Sequence, residues 1–268
     1  MRNILGFAIF SDEYLNEKQI NSFYHDELCP IFWKAKKNSD GNTTWVFDQR
    51  IRKKLIRVAN DFFSNFSEII GNRKIKDIQL TGSLSNFNYT DFSDLDIHVM
   101  IDLSGIDDDN KKVLVSAING IRFIWNKRHD ISIRGYDAEL YLQDIKEEHV
   151  ASGLFSLMNN EWIKKPIFNP PEIDDRDIDL KYNLLSKDIE ILHDRLNISG
   201  LTAANAKMLY ARCIKLKSKI HKMRKEGLSE GGEMSIGNLV FKKLRNEGYI
   251  EKLIDIISKS YDKIYTEK

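Results

Sequence analysis

Apolar residues first fall into a helical rhythm between positions 51 and 69. Ile51, Leu55, Val58, Phe62, Phe66 and Ile69 recur at steps of three and four, the spacing of a helix that buries one face. Asp48 stands where an N-cap is needed, and Gly71 stands where a left-handed residue closes the last turn. The rhythm then changes to alternation. Ile75–Thr81 sets Ile78 and Leu80 against polar neighbours, a half-buried strand broken by Gly82 and Ser83. A loop rich in Asn, Tyr, Thr and Ser leads to a second strand over Leu95–Ile101. A helix is expected over 110–128, carrying Val113, Ala117, Ile121 and Trp125. Strands over 131–134 and 138–143 flank a turn at Gly135, Tyr136 and Asp137, and 145–160 reads as a helix.

All four prolines lie at or before Pro171: Pro30, Pro166, Pro170 and Pro171. The last three, followed by the acidic run from Glu172 to Asp177, form the best linker. Beyond it the pattern is almost wholly helical, over 178–197, 202–226 and 235–265, with Gly227, Gly231 and Gly232 between the last two. The expected fold class is α+β: a small mixed sheet with flanking helices, followed by an α-helical domain. The division expected is an N-terminal extension over 1–45, a catalytic-type domain over 46–165 and a helical domain over 176–268. The extension ends in a polar turn over 38–42 and packs on the domain after it.

Composition narrows the class. Hydrophobic residues make up 42% and charged residues 30%, the balance of an ordinary globular chain. The net charge of +1 gives no global pull toward nucleic acid or membrane, so any such attraction is local. Cys29 and Cys213 share no motif, which argues against a disulfide framework or a zinc site and for a reducing, cytoplasmic setting. The apolar run near Phe7 is short, and Asp12 and Glu13 follow where a leader would carry small residues, so a cleaved leader is not expected. No stretch approaches the roughly 20 apolar residues of a membrane span, and no membrane partner is expected.

The informative chemistry begins at Gly82-Ser83 and resumes ten residues later at Asp94-Leu95-Asp96. Asp94 and Asp96, two apart on a strand, point to one face and can share or bridge divalent cations. Mg²⁺ takes oxygen ligands and keeps several waters, so a few carboxylates suffice. Such a site serves phosphoryl transfer from a triphosphate. Glu139 supplies a third carboxylate, because Ala138, Leu140 and Leu142 alternate inward around it; Asp137 or Asp144 could take its place. Glu139 could also act as a base toward an acceptor hydroxyl. Gly82 lets backbone approach a phosphate at a strand-to-helix turn, and Ser83 adds a donor or merely caps the helix. His98 lies on the Asp96 face, where it either touches a ligand or ends a polar edge. Asp91 and Ser93 are expected to order the loop, and Trp45, Trp125 and Trp162 to pack.

Gly-Ser, then Asp-x-Asp, then an acidic residue within a hydrophobic strand resembles the polymerase-beta-type nucleotidyltransferase superfamily, over residues 75–143. The stretch from Cys29-Pro30 through Trp45, Phe47 and Asp48 to Asp96 resembles nucleotidyltransferases encoded by large tailed bacteriophages. The resemblance implies a nucleotidyltransferase-like fold and transfer of a nucleoside monophosphate from a nucleoside triphosphate such as ATP, with pyrophosphate released. It implies Mg²⁺ (or Mn²⁺) held by Asp94, Asp96 and Glu139, and triphosphate contacts from Gly82 and Ser83. The acceptor is left open among an RNA 3′ end, a protein side chain, a small molecule and a second nucleotide. One departure stands out: the loop over 84–90 has neither the glycine nor the arginine that members often place there.

In the helical half, eight basic and no acidic residues fall between Asn205 and Lys225. Leu209, Cys213, Leu216, Ile220 and Met223 form an inward stripe, shadowed one residue earlier by Arg212, Lys215, Lys219 and Lys222. These are a solvated face, or a cationic wall opposite the carboxylates across a cleft between the domains. In the second reading Lys215 and Lys219 hold triphosphate or a nucleic-acid acceptor. The alternatives to an enzyme are an inactive nucleotide-binding module of the same fold and a partner-binding protein.

Overall fold

The computed structural model describes residues 25–37, 43–147, 151–168, 175–198 and 201–266. The polar turn over 38–42, the leader-like run and the Pro170-Pro171 part of the expected linker lie outside them. The chain forms two compact units, Met1–Asn169 and Pro170–Lys268.

In the first unit, β1 (Trp33–Lys37) and β2 (Thr43–Phe47) pair antiparallel, bringing Trp33 opposite Phe47. Helix α1 (Gln49–Ser64) starts at Asp48, whose carboxylate accepts from the Arg50 and Ile51 amides. Those bonds, the Ile51 amide foremost, hold the Asp48 carboxyl below its usual range. Ile51, Leu55 and Phe62 are buried as their spacing requires, but Ala59 rather than Val58 takes the core position between them. The single expected helix is two. The Asn65 side chain donates to the Asp61 and Phe62 carbonyls and takes over the acceptors of the next turn. The short α2 (Ser67–Ile70) follows and ends at Gly71, φ +62°.

A six-stranded mixed sheet has the order β5-β6-β4-β3-β7-β8. Its members are β3 (Ile75–Thr81), β4 (Leu95–Ile101), β5 (Ser132–Ile133), β6 (Tyr136–Asp144), β7 (Leu154–Ser156) and β8 (Glu161–Lys164). β3 and β4 are antiparallel, whereas β4 and β6 are parallel and joined through α3 (Asp108–Arg128). Helix α3 begins before 110 because Asp107 caps it by accepting from the Asn110 amide. Its buried residues are Ile118 and Trp125; Val113 is exposed, so the stripe is rotated from the one expected. The β5–β6 turn uses Arg134 and Gly135, both at positive φ, one residue earlier than expected.

The described residues of the span 145–160 do not form the expected helix. Leu154–Ser156 and Glu161–Lys164 form an antiparallel hairpin, with Asn160 left-handed at φ +60°. Tertiary contacts override the local pattern. Trp162 stacks on Trp33 at 4.5 Å between ring centres, and the Arg52 guanidinium donates to the Leu157 and Met158 carbonyls at 2.6 and 2.7 Å.

Ile78, Leu80, Leu95, Ile97, Val99, Leu140 and Leu142 fill the apolar side of the sheet, and Phe62 of α1 meets Trp125 of α3 edge to face. Beyond the short β5 pairing, β6 is an edge. There the Asn126 side chain donates to the Leu140 carbonyl at 2.9 Å and accepts from its amide at 3.2 Å.

The second unit holds α4 (Asp175–Leu196), α5 (Ala203–Gly231), α6 (Ile236–Asn246) and α7 (Tyr249–Tyr265). Ala206, Leu209, Cys213, Leu216 and Ile220 are the buried stripe of α5, and Met223 is half-buried. Helix α5 runs through Gly227 instead of stopping there. A Cβ at 227 would lie 2.6 Å from Ser235 Oγ, so this glycine permits close packing against the start of α6. The last expected helix is split at Gly248, left-handed with φ +76°. Among the described residues no helix is long and apolar enough to cross a membrane.

Candidate functional site

The end of β3 and the start of β4 place the first acidic residues. Thr81 pairs with Asp96, and Gly82 follows at φ +74°. A Cβ on Gly82 would stand 2.0 Å from Asp96 Oδ2, so the bare glycine is what makes room for that carboxylate. Two physical demands, positive φ and close approach, converge on one position.

Across β4, the parallel register sets Asp96 directly opposite Glu139, and Leu95 opposite Ala138. Leu95, Ile97, Ala138 and Leu140 are buried on one side, so Asp96 and Glu139 share the other, and both are half-buried. Asp94 lies just before β4. It lines an open recess of about 530 Å³ with Glu139, Asn126, Lys127, His129, Asp130 and Asp137. Among the described residues, no three His, Cys, Asp or Glu side chains are already gathered as a cation cage.

The two substitutes considered for Glu139 are placed differently. Asp137 is exposed and pairs with Ser132. Asp144 is buried, bonded to Lys111 and accepting from the Leu103 and Lys146 amides. Of the three, Glu139 alone faces Asp96 in register.

Ser83 does not open a helix. Ser83–Ser85 is one 3-10 turn, too short for a useful dipole, and the Ser83 hydroxyl donates to Ser93 Oγ at 2.8 Å. Ser93 Oγ also accepts from the Thr90 amide, so this pair ties the loop together. The expected dipole contribution from a new helix is therefore withdrawn, while the Gly82 backbone stays at the acid pair.

Sequence reasoning missed the surroundings of Glu139. Tyr141, next on the same face of β6, has its hydroxyl on the Glu139 side. Its ring stacks on His98 at 4.5 Å, and the Arg122 guanidinium covers it at 4.7 Å from the ring centre. His98 Nδ1 lies 2.7 Å from Gln143 Oε1, so His98 belongs to this stack. Burial, then the charges of Asp96 and Glu139, push the Tyr141 hydroxyl well above the usual tyrosine range, so it stays protonated beside them. Tyr141 was within reach of the period-two rule; Arg122 was not, because it arrives from α3 around the sheet edge.

Trp45, Trp125 and Trp162 each sit in ring contacts, with Phe87, Phe62 and Trp33 respectively. Lys215 and Lys219 lie in the helical unit, exposed, lining one recess of about 830 Å³ with Lys181 and Lys222.

No family model matches the chain, and no curated protein matches it. Among solved structures, a spectinomycin adenyltransferase from Enterococcus faecialis, with ATP and spectinomycin, is similar at 11% identity. The match covers 80% of this chain and 100% of that one at a TM-score of 0.19, an overlap that carries no argument about fold or activity.

Proposed function

We propose that the protein transfers a nucleoside monophosphate from a nucleoside triphosphate to an acceptor hydroxyl, releasing pyrophosphate. The observation that carries this reading is the Asp96–Glu139 register pair set against the bare backbone of Gly82. Two carboxylates side by side on a half-buried face repel each other, and a divalent cation relieves that repulsion. Oxygen-only donors suit Mg²⁺ or Mn²⁺, with Asp94, Asp96 and Glu139 as the residues that would hold it. When bound, the cation would neutralise the phosphates and stabilise the attacking and leaving oxygens. The reading asks the Asp94 and Glu139 side chains, which line one recess, to close toward Asp96.

The remaining roles belong to the chain. The Gly82 backbone gives a phosphate room to approach. Glu139 is placed to accept the acceptor's proton as its oxygen bonds to the α-phosphorus and the bond to the β-phosphate oxygen breaks. Tyr141, two residues along the same face and protonated, would steady the Glu139 carboxylate through its hydroxyl. A second reading is a nucleotide-binding module without turnover.

The test is incubation of the full chain with each α-labelled triphosphate, Mg²⁺ or Mn²⁺ and a cell lysate. Label transfer with pyrophosphate release, lost in Asp94→Ala/Asp96→Ala, is expected. Binding of triphosphate without pyrophosphate release would establish the module; neither binding nor release would sink both readings.

A further inference from the structure

The helical unit carries a second concentration of charge that the transfer chemistry does not use. Arg212, Lys215, Lys219 and Lys222 occupy one exposed face of α5, and Lys181 of α4 joins the last three around the 830 Å³ recess. Lys222 is paired with Glu226 at 3.6 Å, and Glu226 and Glu230 close one end of the recess. Lys181, Lys215 and Lys219 have no ion pair among the described residues. Three other lysines of this unit are matched: Lys243 with Asp179, Lys252 with Glu190 and Lys259 with Asp255. Around this recess, α5 and its α4 neighbour therefore gather three unmatched lysines.

Its shape selects the ligand. Arg212 to Lys222 spans ten residues, about 15 Å at the helical rise of 1.5 Å per residue, with a cation every three or four positions. A ladder of that length outreaches the phosphates of a single triphosphate and matches a run of successive phosphates on a strand. Gly227 and Gly237 of the recess are accounted for by helix packing, since Cβ atoms there would strike Ser235 Oγ and the Met223 carbonyl. The cations are not so accounted for.

We infer that this face of α5 binds the phosphodiester backbone of a single-stranded polynucleotide, which makes a polynucleotide the acceptor class. Only the word acceptor rests on the transferase reading; the binding does not. Exposed lysines contribute phosphate contacts without base readout, so affinity falls with salt and is indifferent to sequence.

The experiment is fluorescence anisotropy of the full chain with a labelled single-stranded RNA of about 15 nucleotides, in the range such grooves cover. It is repeated in the Asp94→Ala/Asp96→Ala protein, so that failure of catalysis and failure of binding are read apart. Binding is expected in both, with unlabelled ATP at equal phosphate concentration failing to displace the RNA. The Lys215→Gln/Lys219→Gln variant, with its melting temperature checked, is expected to bind about tenfold more weakly. Its slope of log affinity against log salt should shrink by about 1.4, at 0.7 per phosphate contact. Lys181→Gln tests the second helix and should weaken binding in the same direction, whereas Lys112→Gln, in the other unit, should not. Absence of RNA binding, equal loss in Lys112→Gln, or displacement by ATP overturns the proposal, the last by making the ladder a triphosphate site.

Discussion

The two ends of β6 hold acidic residues in opposite circumstances. At one end Glu139 stands half-buried opposite Asp96, with no ion pair to a lysine or arginine among the described residues. Five residues on, Asp144 is buried on the apolar side and compensated by Lys111 and two backbone amides. Desolvation alone would raise the Asp144 carboxyl, but the Lys111 bond and those amides outweigh it and hold it below the usual range. The Asp144 end is what a chain does with a charge it needs for folding: it supplies the countercharge itself. At the other end a second carboxylate is placed opposite instead, a repulsion that the proposed cation would relieve.

The difference can be broken most directly by neutralising each acid in turn. Glu139→Gln is expected to reduce pyrophosphate release on the order of 10²–10³-fold, as loss of one charge-stabilising group does, with the melting temperature unchanged. Asp144→Asn is expected to do the reverse, lowering the melting temperature by on the order of 5 °C while turnover per folded molecule persists. Exchange of those two outcomes would invert the assignment.

Gly82→Ala comes next. Its new Cβ must displace the Asp96 carboxylate and tolerate a left-handed backbone, at a cost of about 1–3 kcal/mol, read by denaturant unfolding together with a loss of Mn²⁺ affinity. A stable protein with unaltered Mn²⁺ binding would show that the close approach is incidental.

Tyr141→Phe keeps the stack with His98 and Arg122 but removes the hydroxyl proposed to steady Glu139. About tenfold weaker Mn²⁺ binding is expected, the effect of losing a residue that orients a ligand, with little change in stability. The smallest effect is on pH. A depressed carboxyl contributes stability above its unfolded value near 3.9 that disappears as pH falls through its folded value. The raised Lys111, bonded first of all to Asp144, contributes stability below the unfolded lysine value that disappears as pH rises through the folded one. Unfolding curves of the parent should therefore steepen below about pH 4 relative to Asp144→Asn.

Strand positions were readable where alternation was local: Ile75–Thr81 and Leu95–Ile101 declare themselves by period and by the break at Gly82. So was the Asp-x-Asp spacing, although Asp94 falls just before β4. The register of Asp96 against Glu139 was not, because it is fixed by how α3 returns the chain to the sheet, a matter of packing rather than pattern. The hairpin of β7 and β8 was hidden for the same reason; Trp33 and Arg52, more than a hundred residues earlier, hold it in place. The role of Gly82 depended on a distance to Asp96 that no spacing reveals. At Gly227 the local rule misled, since a residue that breaks helices in isolation is here the one thin enough to let two helices touch.

Asn126 has a consequence of its own. By giving and taking one hydrogen bond at Leu140, its amide group imitates the peptide of an absent neighbouring strand. An open margin with bare N–H and C=O groups invites a second molecule to add itself and keep adding. One side chain on a helix thus terminates the lattice that a stack of such sheets would otherwise begin, and it does so a single residue from the half-buried Glu139.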